Sequence, residues 1–591
     1  MANPVRQSSA PPASHLSHLS RLSQRDRAVP LPHNAGGRLL PVFPGSPALP
    51  ALPALRKRPT AGWARGCLIA VNLAAVTFFL LSYSRHGVSF GPYHIDLNVY
   101  RIGSAVWLRG GDLYGVLPPT SIGVRLPFSY PPIAAVLLAP LALVPMPVAA
   151  TLLTALTIAL TALVLRLFLR SAFATPTQAR PLESVFATPT QARALESVFA
   201  TPTQARALAA SPDLSPARAS SAVSPFLPIA SWRGVWWLLP AALFLEPVRN
   251  TLNYGQVNVA LMALVAADCL LAAPRWPRGA LVGIAAAVKL TPAAFVLFFL
   301  LRRDWRAAGV AALSFSACAG IGFLLAWHDS VEYWTSVVFQ AGRPGSPAYA
   351  ANQSIQGVLA RAGLDPRSLA GAVTWLALSA VVVVVACLGM RRAFAASADA
   401  WALSLNAFAG LLVSPISWSH HWVWGEMAVL TLAILGWRRW ARDRRDCRDR
   451  RDRRDRRDSR DSRDRSGRDR QDSRDNRDHR DNRDSTGHRD SRDSRDRTGR
   501  RDGKEIRERP GRLGRPDRAA RMAGLPCLAI AAVGAVMFAV SPQWWLPNGG
   551  NRELHWAAWE QAVGSSYVIF AAVVLLAACL ADPAGTGKGS R

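Results

Sequence analysis

The chain has 591 residues, half of them hydrophobic, with 20 tryptophans and a formal net charge of +31. Repeated apolar runs close to bilayer length exclude a string of soluble domains and point to an all-α polytopic membrane protein. The charge is no sign of nucleic-acid binding: residues 441–520 hold 31 of the 69 basic and 21 of the 38 acidic side chains in alternation, a weak net field for that length.

In chain order, residues 1–60 are rich in Pro, Ser, Ala and Leu, lack the continuous apolar core of a secretory signal, and predict a disordered cytoplasmic tail. The block 61–170 opens with the first hydrophobic run, GCLIAVNLAAVTFFLLSY (66–83), which follows Arg56, Lys57, Arg58 and Arg65. By the positive-inside rule the N-terminus stays in the cytoplasm and the segment 84–130 emerges outside. The apolar stretch 129–170 is too long for one span, and Val144-Pro145-Met146-Pro147 predicts two. Residues 171–233 carry three near-identical thirteen-residue copies starting at Phe173, Phe186 and Phe199, read as a linker and not a solenoid. The membrane core 234–437 predicts spans near 234–252, 257–273, 279–301, 307–327, 369–390, 400–416 and 421–437. The Arg/Asp-rich stretch 438–522 predicts a disordered cytoplasmic loop. The final two spans follow in 523–582, then a cytoplasmic tail at 583–591. The total is about twelve spans.

Arg302/Arg303/Arg306, Arg391/Arg392 and Arg438/Arg439 mark cytoplasmic ends, which puts 328–368, 414–420 and 542–564 outside together with Asp96. The sidedness of 171–233 and of 253–256 depends on how 129–170 is threaded. The seven cysteines form no CxxC pair and read as small buried hydrophobes.

Outside the Arg/Asp-rich segment only 17 acids remain, and charge near a bilayer is costly unless it has a task. HIDLNVYRIG and GGDLYG place Asp96 and Asp112 just past the first hydrophobic run. EPVRNTLNYGQVN (246–258) gathers Glu246, Arg249, Asn250, Asn253, Gln256 and Asn258 at a junction of spans; AAVKLTPAAF sets Lys289 within an apolar segment. AYAANQSIQGVLAR brings Asn352 and Gln353 to the end of an outer loop, and SPISWSHHWVW places Trp418, His420 and His421 at a membrane boundary. Each motif has a bland reading as helix-bridging amides, interfacial tryptophan or a snorkelling lysine. No HxxxH or HExxH spacing suggests a metal, and there is no Walker loop, GxGxxG turn or GxSxG elbow. Together, cations near the boundary suit a lipid-borne phosphate, aromatics and amides suit a sugar, and an outer carboxylate suits a general base. The same set suits a transporter of amphipathic anions, so the residues alone stop at an anionic lipid or sugar site.

FSYPPIAAVLLAPLALVP, EPVRNTLNYGQVNVALMALVAAD, AAAVKLTPAAFVLFFLL, YWTSVVFQ…YAANQSIQGVLAR and SPISWSHHWVW, in this order from about residue 60 to 440, resemble glycosyltransferase family eighty-seven. These are polyprenol-phosphate-mannose-dependent alpha-mannosyltransferases. The N-terminal tail, the repeats and the Arg/Asp insertion depart from the family pattern.

The resemblance implies a GT-C-type helical bundle in the cell membrane whose active site faces away from the cytoplasm. It implies a catalytic Asp96, with Asp112 as the fallback. His420 or His421 and Lys289 would hold the donor phosphate, with Arg249 as a further candidate. Tyr130, Asn253, Gln256, Asn258, Asn352, Gln353 and Trp418 are the candidates for substrate contact. The donor would be polyprenol-phosphate-mannose and the acceptor a glycolipid or lipoglycan, with inversion at the sugar and neither cofactor nor metal. A transferase using another lipid-linked sugar, or a lipid-linked sugar flippase, are the alternatives, and no inverted repeat supports the latter.

Overall fold

The computed structural model describes residues 94–173, 232–340, 342–481 and 524–580, with Gly66, Ile69 and Ala70. The chain divides at Ala61/Gly62 into two units, and all of these residues belong to the second. The expected N-terminal tail, nearly all of the first span 66–83, the repeats in 174–231, and residues 482–523 and 581–591 lie outside the described residues.

The described residues are helical, with a single isolated β-bridge between Asn352 and Trp418. In chain order the helices are α1 (Ile95–Leu108), α2 (Pro132–Ala142), α3 (Met146–Phe173), α4 (Trp232–Phe244), α5 (Glu246–Tyr254), α6 (Asn258–Leu270), α7 (Ala280–Val288) and α8 (Val296–Leu301). There follow α9 (Trp305–Leu325), α10 (Trp327–Thr335), α11 (Ile355–Arg361), α12 (Leu369–Ala395), α13 (Asp399–Val413), α14 (Trp424–Asp481), α15 (Leu525–Val540), α16 (Ala558–Gly564) and α17 (Ser566–Leu580). Their starts are written in the sequence. Asp304, Ser354 and Ser368 accept the N–H groups of Ala307, Gly357 and Gly371, satisfying donors that a helix start leaves free. Asp268 does the same for α7, accepting from Gly279 N and Val282 N, each at 3.0 Å. Arg278 closes the end of α6 by donating to Asp268 O and Leu271 O.

The chain is a membrane protein. Among the described residues four helices are long and apolar enough to cross a bilayer (α3, α9, α12, and α15 with its continuation to Trp545), or five if the bent pair α16–α17 counts as one span. Only 11% of the apolar window of α9 is buried, as expected of a helix whose outer face meets lipid. The expected twelve spans are not confirmed among the described residues, which leave out nearly all of the first. Five shorter apolar helices stand among the described residues where several spans were predicted: 234–252 parts at Leu245 into α4 and the polar α5, and 279–301 parts at Lys289.

The two spans predicted in 129–170 become one. Only the 28-residue α3, about 42 Å long at 1.5 Å per residue, passes the length test. The shorter α2 lies antiparallel on α1: Ser104 Oγ donates to Ala135 O, and Arg101 donates to Leu141 O and Val144 O, fastening the α2–α3 turn to α1.

Two further expectations need correction. The Arg/Asp-rich stretch is helical as far as Asp481, as a continuation of α14. Arginine is a strong helix former, and the pattern sets Asp446, Asp449 and Asp452 four residues before Arg450, Arg453 and Arg456, the favourable order for i, i+4 pairs. Of the six described cysteines, all free, only Cys269 is buried; the rest are half-buried on helix flanks.

The basic clusters gather at one end of the bundle. Arg302 pairs with Asp399 at 2.7 Å, joining the end of α8 to the start of α13. Arg438 donates to Ala172 O at the end of α3, and Arg439 Nη1 reaches Cys527 Sγ near the start of α15. Arg166 lies 4.4 Å over the Trp232 ring, bringing the start of α4 to that end as well. The polar motifs collect at the other end, 253–256 among them.

Candidate active site

The carboxylate of Asp96 is set by the way α1 begins. His94, in left-handed conformation, donates its N–H to Asn253 O at 2.7 Å, and the helix starts at the next residue. Asp96 therefore sits in the first turn, where the helix dipole favours negative charge. Leu97 is fully buried against Ala149, Ala150 and Leu153 of α3. On its other side Gly255 (φ +68°) approaches so closely that a Cβ there would stand 2.7 Å from Leu97 Cβ. One turn beyond Asp96, Tyr100 donates to Gln256 Oε1 at 2.6 Å and lies 3.0 Å from the Tyr130 hydroxyl. Gln256 also hydrogen-bonds to the Asp96 carboxylate.

Lys289 faces this group. The sequence KLTP ends α7 at Val288, leaving Lys289 extended before the 3₁₀ turn Thr291–Phe295. Its Nζ donates to Asn258 Oδ1 at 3.1 Å, lies 3.0 Å from His421 Nε2, and stands 5.5 Å over the Tyr130 ring. The histidines occupy a short 3₁₀ turn, Ser419–His421, whose His420 carbonyl accepts from Asn258 Nδ2 (2.8 Å) and Thr251 Oγ1 (3.1 Å). The Tyr254 ring meets His420 edge-on at 5.1 Å.

The electrostatics follow from burial and from Lys289. Burial pushes the Asp96 carboxyl up to about 6, against the opposing pull of the Gln256 hydrogen bond and the Lys289 charge. Burial and the neighbouring lysine hold both imidazoles well below the ordinary histidine range, so they are neutral. Neutral His421 can then accept the Lys289 proton at Nε2, while His420 Nε2 is buried without a hydrogen-bond partner.

One cavity of about 530 Å³ collects these groups: Asp96, Tyr130, Gln256, Lys289, His420 and His421 all line it, as does Trp418. Other predicted site residues stand behind it. Asn258 lines a small adjoining cavity and orients Lys289. Asn253 receives the His94 N–H, and Arg249 packs over the Phe244 ring. Asn352 and Gln353 are fully buried struts: Asn352 ties Pro347 O to Pro415 O and accepts from Ser417 N, and Gln353 donates to Ala350 O and Gly564 O. Asp112 lies outside the cavity and caps its own turn by accepting from Tyr114 N and Gly115 N.

Sequence reasoning gave no role to Glu246, Arg343 or Trp544. Glu246 is fully buried and accepts from Asn250, Ser419, Trp544 and Tyr567, locking the histidine turn to the C-terminal helices. Arg343 lines the cavity and donates to Phe128 O and Tyr114 O. The signal for Glu246 was present, since an acid directly after the apolar run of α4 must find donors; Trp544 and Arg343 had no motif to mark them.

Residues 128–415 match the model of glycosyltransferase family 87. The chain is also 40% identical, over 351 residues, to the polyprenol-phosphate-mannose-dependent alpha-(1-2)-phosphatidylinositol mannoside mannosyltransferase of Mycobacterium tuberculosis H37Rv, covering 59% of this chain and 72% of that protein. The chain belongs to glycosyltransferase family 87.

The Mycolicibacterium smegmatis protein of the same description is 37% identical over 355 residues, covering 59% of this chain and 71% of its own length. A polyprenol-phosphate-mannose-dependent alpha-(1-2)-phosphatidylinositol pentamannoside mannosyltransferase of M. tuberculosis CDC 1551 is 32% identical over 341 residues, covering 56% of this chain and 65% of that one. No solved structure matches the chain. In this family 87 glycosyltransferase Asp96 precedes the matched region and the histidine turn follows it, so it is the fold that brings them to Tyr130, Gln256 and Lys289.

Proposed function

We propose that the chain moves mannose from polyprenol-phosphate-mannose to a phosphatidylinositol mannoside or related glycolipid, with inversion, on the extracytoplasmic face of the cell membrane. The observation that carries this is the cavity itself: a carboxylate and a lysine–imidazole group share about 530 Å³ and are bridged by Gln256 and Tyr130. The sugar and lipid classes come from the relatives' names, and the face from the basic clusters at the far end of the bundle.

The donor's leaving group is a phosphate monoester anion, which needs no protonation. Lys289 and the buried Nε2 of His420 donate to it, and His421 holds the ammonium in place. The acceptor hydroxyl oxygen attacks the anomeric carbon from the side opposite the phosphate. As the new C–O bond forms and the bond to phosphate breaks, the hydroxyl proton passes to the Asp96 carboxylate, and a beta-linked donor becomes an alpha-mannoside. A carboxyl raised to about 6 is a better base than an ordinary aspartate and is still ionised at neutral pH.

The test is mannosyl transfer from labelled polyprenol-phosphate-mannose in detergent-opened membranes. Wild type forms a labelled glycolipid, and Asp96→Asn at equal abundance loses at least 10²-fold in rate. Equal rates in both would remove Asp96 as the base. No transfer by a folded wild type, with turnover of another lipid-linked sugar, would replace the donor; movement of a lipid-linked sugar across sealed membranes without a new glycosidic bond would make the chain a flippase.

A further inference from the structure

A second set of side chains in the cavity takes no part in the transfer chemistry. Tyr349, Trp418 and Trp544 all line it, and their rings meet edge-on, Tyr349 lying 6.0 Å from Trp418 and 6.1 Å from Trp544. All three are half-buried, so part of each ring stays open. They come from three separate segments, and each is fixed. Trp544 Nε1 donates to the buried Glu246 at 3.0 Å, Trp418 pairs through its backbone with Asn352, and Gly345 approaches so closely that a Cβ would stand 3.2 Å from the Trp418 ring.

Polar groups stand beside the rings. Gly549, Gly550 and Asn551 line the same cavity in successive left-handed conformations, φ 79°, 64° and 65°. The buried Glu553 pins that loop by accepting from Gly549 N (2.8 Å) and Ala350 N (3.1 Å), and Trp556 Nε1 donates to Pro547 O. A pyranose presents an apolar C–H face and a rim of hydroxyls, and needs both an aromatic wall and polar partners. A prenyl tail would have no use for the polar loop.

We infer that Tyr349, Trp418 and Trp544, with the loop at residues 549–551, form a carbohydrate subsite that holds a mannose unit of the acceptor next to the one attacked. The inference rests on the transferase reading above and deepens it. A relative that uses the same donor is named for a pentamannoside acceptor, which carries mannose units beside the one attacked. Trp418 and Trp544 both lie beyond the region matched to the family model.

The experiment varies donor and acceptor separately with purified full-length chain in detergent, using phosphatidylinositol mannosides that differ by one mannose. Tyr349→Leu raises the acceptor KM at least tenfold and leaves the donor KM within twofold, and Trp544→Leu raises the acceptor KM as well, beside whatever donor effect comes from leaving Glu246 one hydrogen bond short. They also flatten the preference between acceptors of different length. Trp545→Leu, at an exposed neighbour outside the cavity, changes neither constant. Trp544→Phe loses the same hydrogen bond to Glu246 but keeps a ring, so its acceptor KM falls between wild type and Trp544→Leu, which separates stacking from the Glu246 contact. A rise in donor KM instead of acceptor KM in Tyr349→Leu would assign the rings to the lipid tail and overturn the subsite, as would an unchanged acceptor KM in both leucine variants. If wild type transfers no mannose, the transferase reading fails, and the subsite is judged by tryptophan fluorescence with soluble α-mannobiose. Quenching in wild type that is lost in Tyr349→Leu upholds the subsite; no quenching overturns it.

Discussion

Asp96 and Asp112 stand sixteen residues apart in one polar segment, and their surroundings give them different work. Asp96 lines the cavity with its carboxyl raised to about 6, so the active carboxylate is lost as pH falls through that value. The rate kcat/KM should therefore fall about tenfold per pH unit below about 6 and level off above it, measured as mannosyl transfer across pH 4.5–8. The stability sign is the reverse. A carboxyl raised above its unfolded value favours the fold most when protonated, and that contribution is lost as pH rises from about 4 through about 6. Asp96→Asn should thus melt no lower than wild type at pH 7.5 while losing transfer. Asp112→Ala should do the opposite. It removes two capping hydrogen bonds at a cost of about 1–2 kcal/mol and leaves the base in place, so thermal stability drops while the rate per folded molecule stays within a fewfold. The sequence separated these two acids by resemblance alone. What distinguishes them physically is the approach of Gln256 and Lys289 from 160 and 193 residues away, which no local pattern displays.

At the scale of elements, the long apolar helices α3, α9, α12 and α15 were legible as hydrophobic runs, and the caps at Asp304, Ser354 and Ser368 are visible in the sequence. The fate of α2 was not. The apolar run reads as the start of a span, but the helix closes after 11 residues, and Ser104 and Arg101 hold it against α1 by donating to Ala135 O and to the carbonyls of the α2–α3 turn. The contact between α1 and the end of α5 was equally hidden, because it depends on a glycine. Gly255 has φ +68° and no room for a Cβ beside Leu97. Gly255→Ala combines backbone strain of about 1–2 kcal/mol with a clash that pushes α1, and Asp96 with it, away from Gln256. Transfer should fall at least tenfold, mainly in kcat. Adding Leu97→Gly should return part of the rate by removing the Cβ that clashes, although it lowers stability further by opening a hole against Ala149 and Leu153 and by placing a glycine within α1. A double variant no faster than the single one would show that the strain at residue 255, and not the position of α1, sets the loss.

The whole molecule has two ends with different chemistry. The cavity lies at one end; at the other, Arg302, Arg438 and Arg439 knit the helix termini, and there α14 runs on into its Arg/Asp-rich continuation. Composition revealed that segment as solvated and charged, but the run of arginines, good helix formers spaced against aspartates, extends the helix beyond the apolar seam. The segment is not needed to bring α14 and α15 together. Gly436 packs against α15, where a Cβ would stand 2.9 Å from Cys527 Cβ, and Gly524 meets Trp440 so closely that a Cβ would lie 2.6 Å from its backbone N–H nitrogen. The two sides of the insertion therefore already touch at the bundle, and loop-closure entropy grows only slowly with length, so a short connection can replace it. Replacing residues 445–518 with a flexible linker of about ten residues should leave the donor and acceptor KM and kcat within twofold, because every cavity-lining side chain lies at the opposite end. The measurement is transfer by the shortened chain in the same detergent-opened membranes, normalised to folded protein. A loss of tenfold or more in kcat with an intact bundle would mean that the charged helix acts on the cavity through the length of α14, and the two ends would have to be treated as one coupled unit.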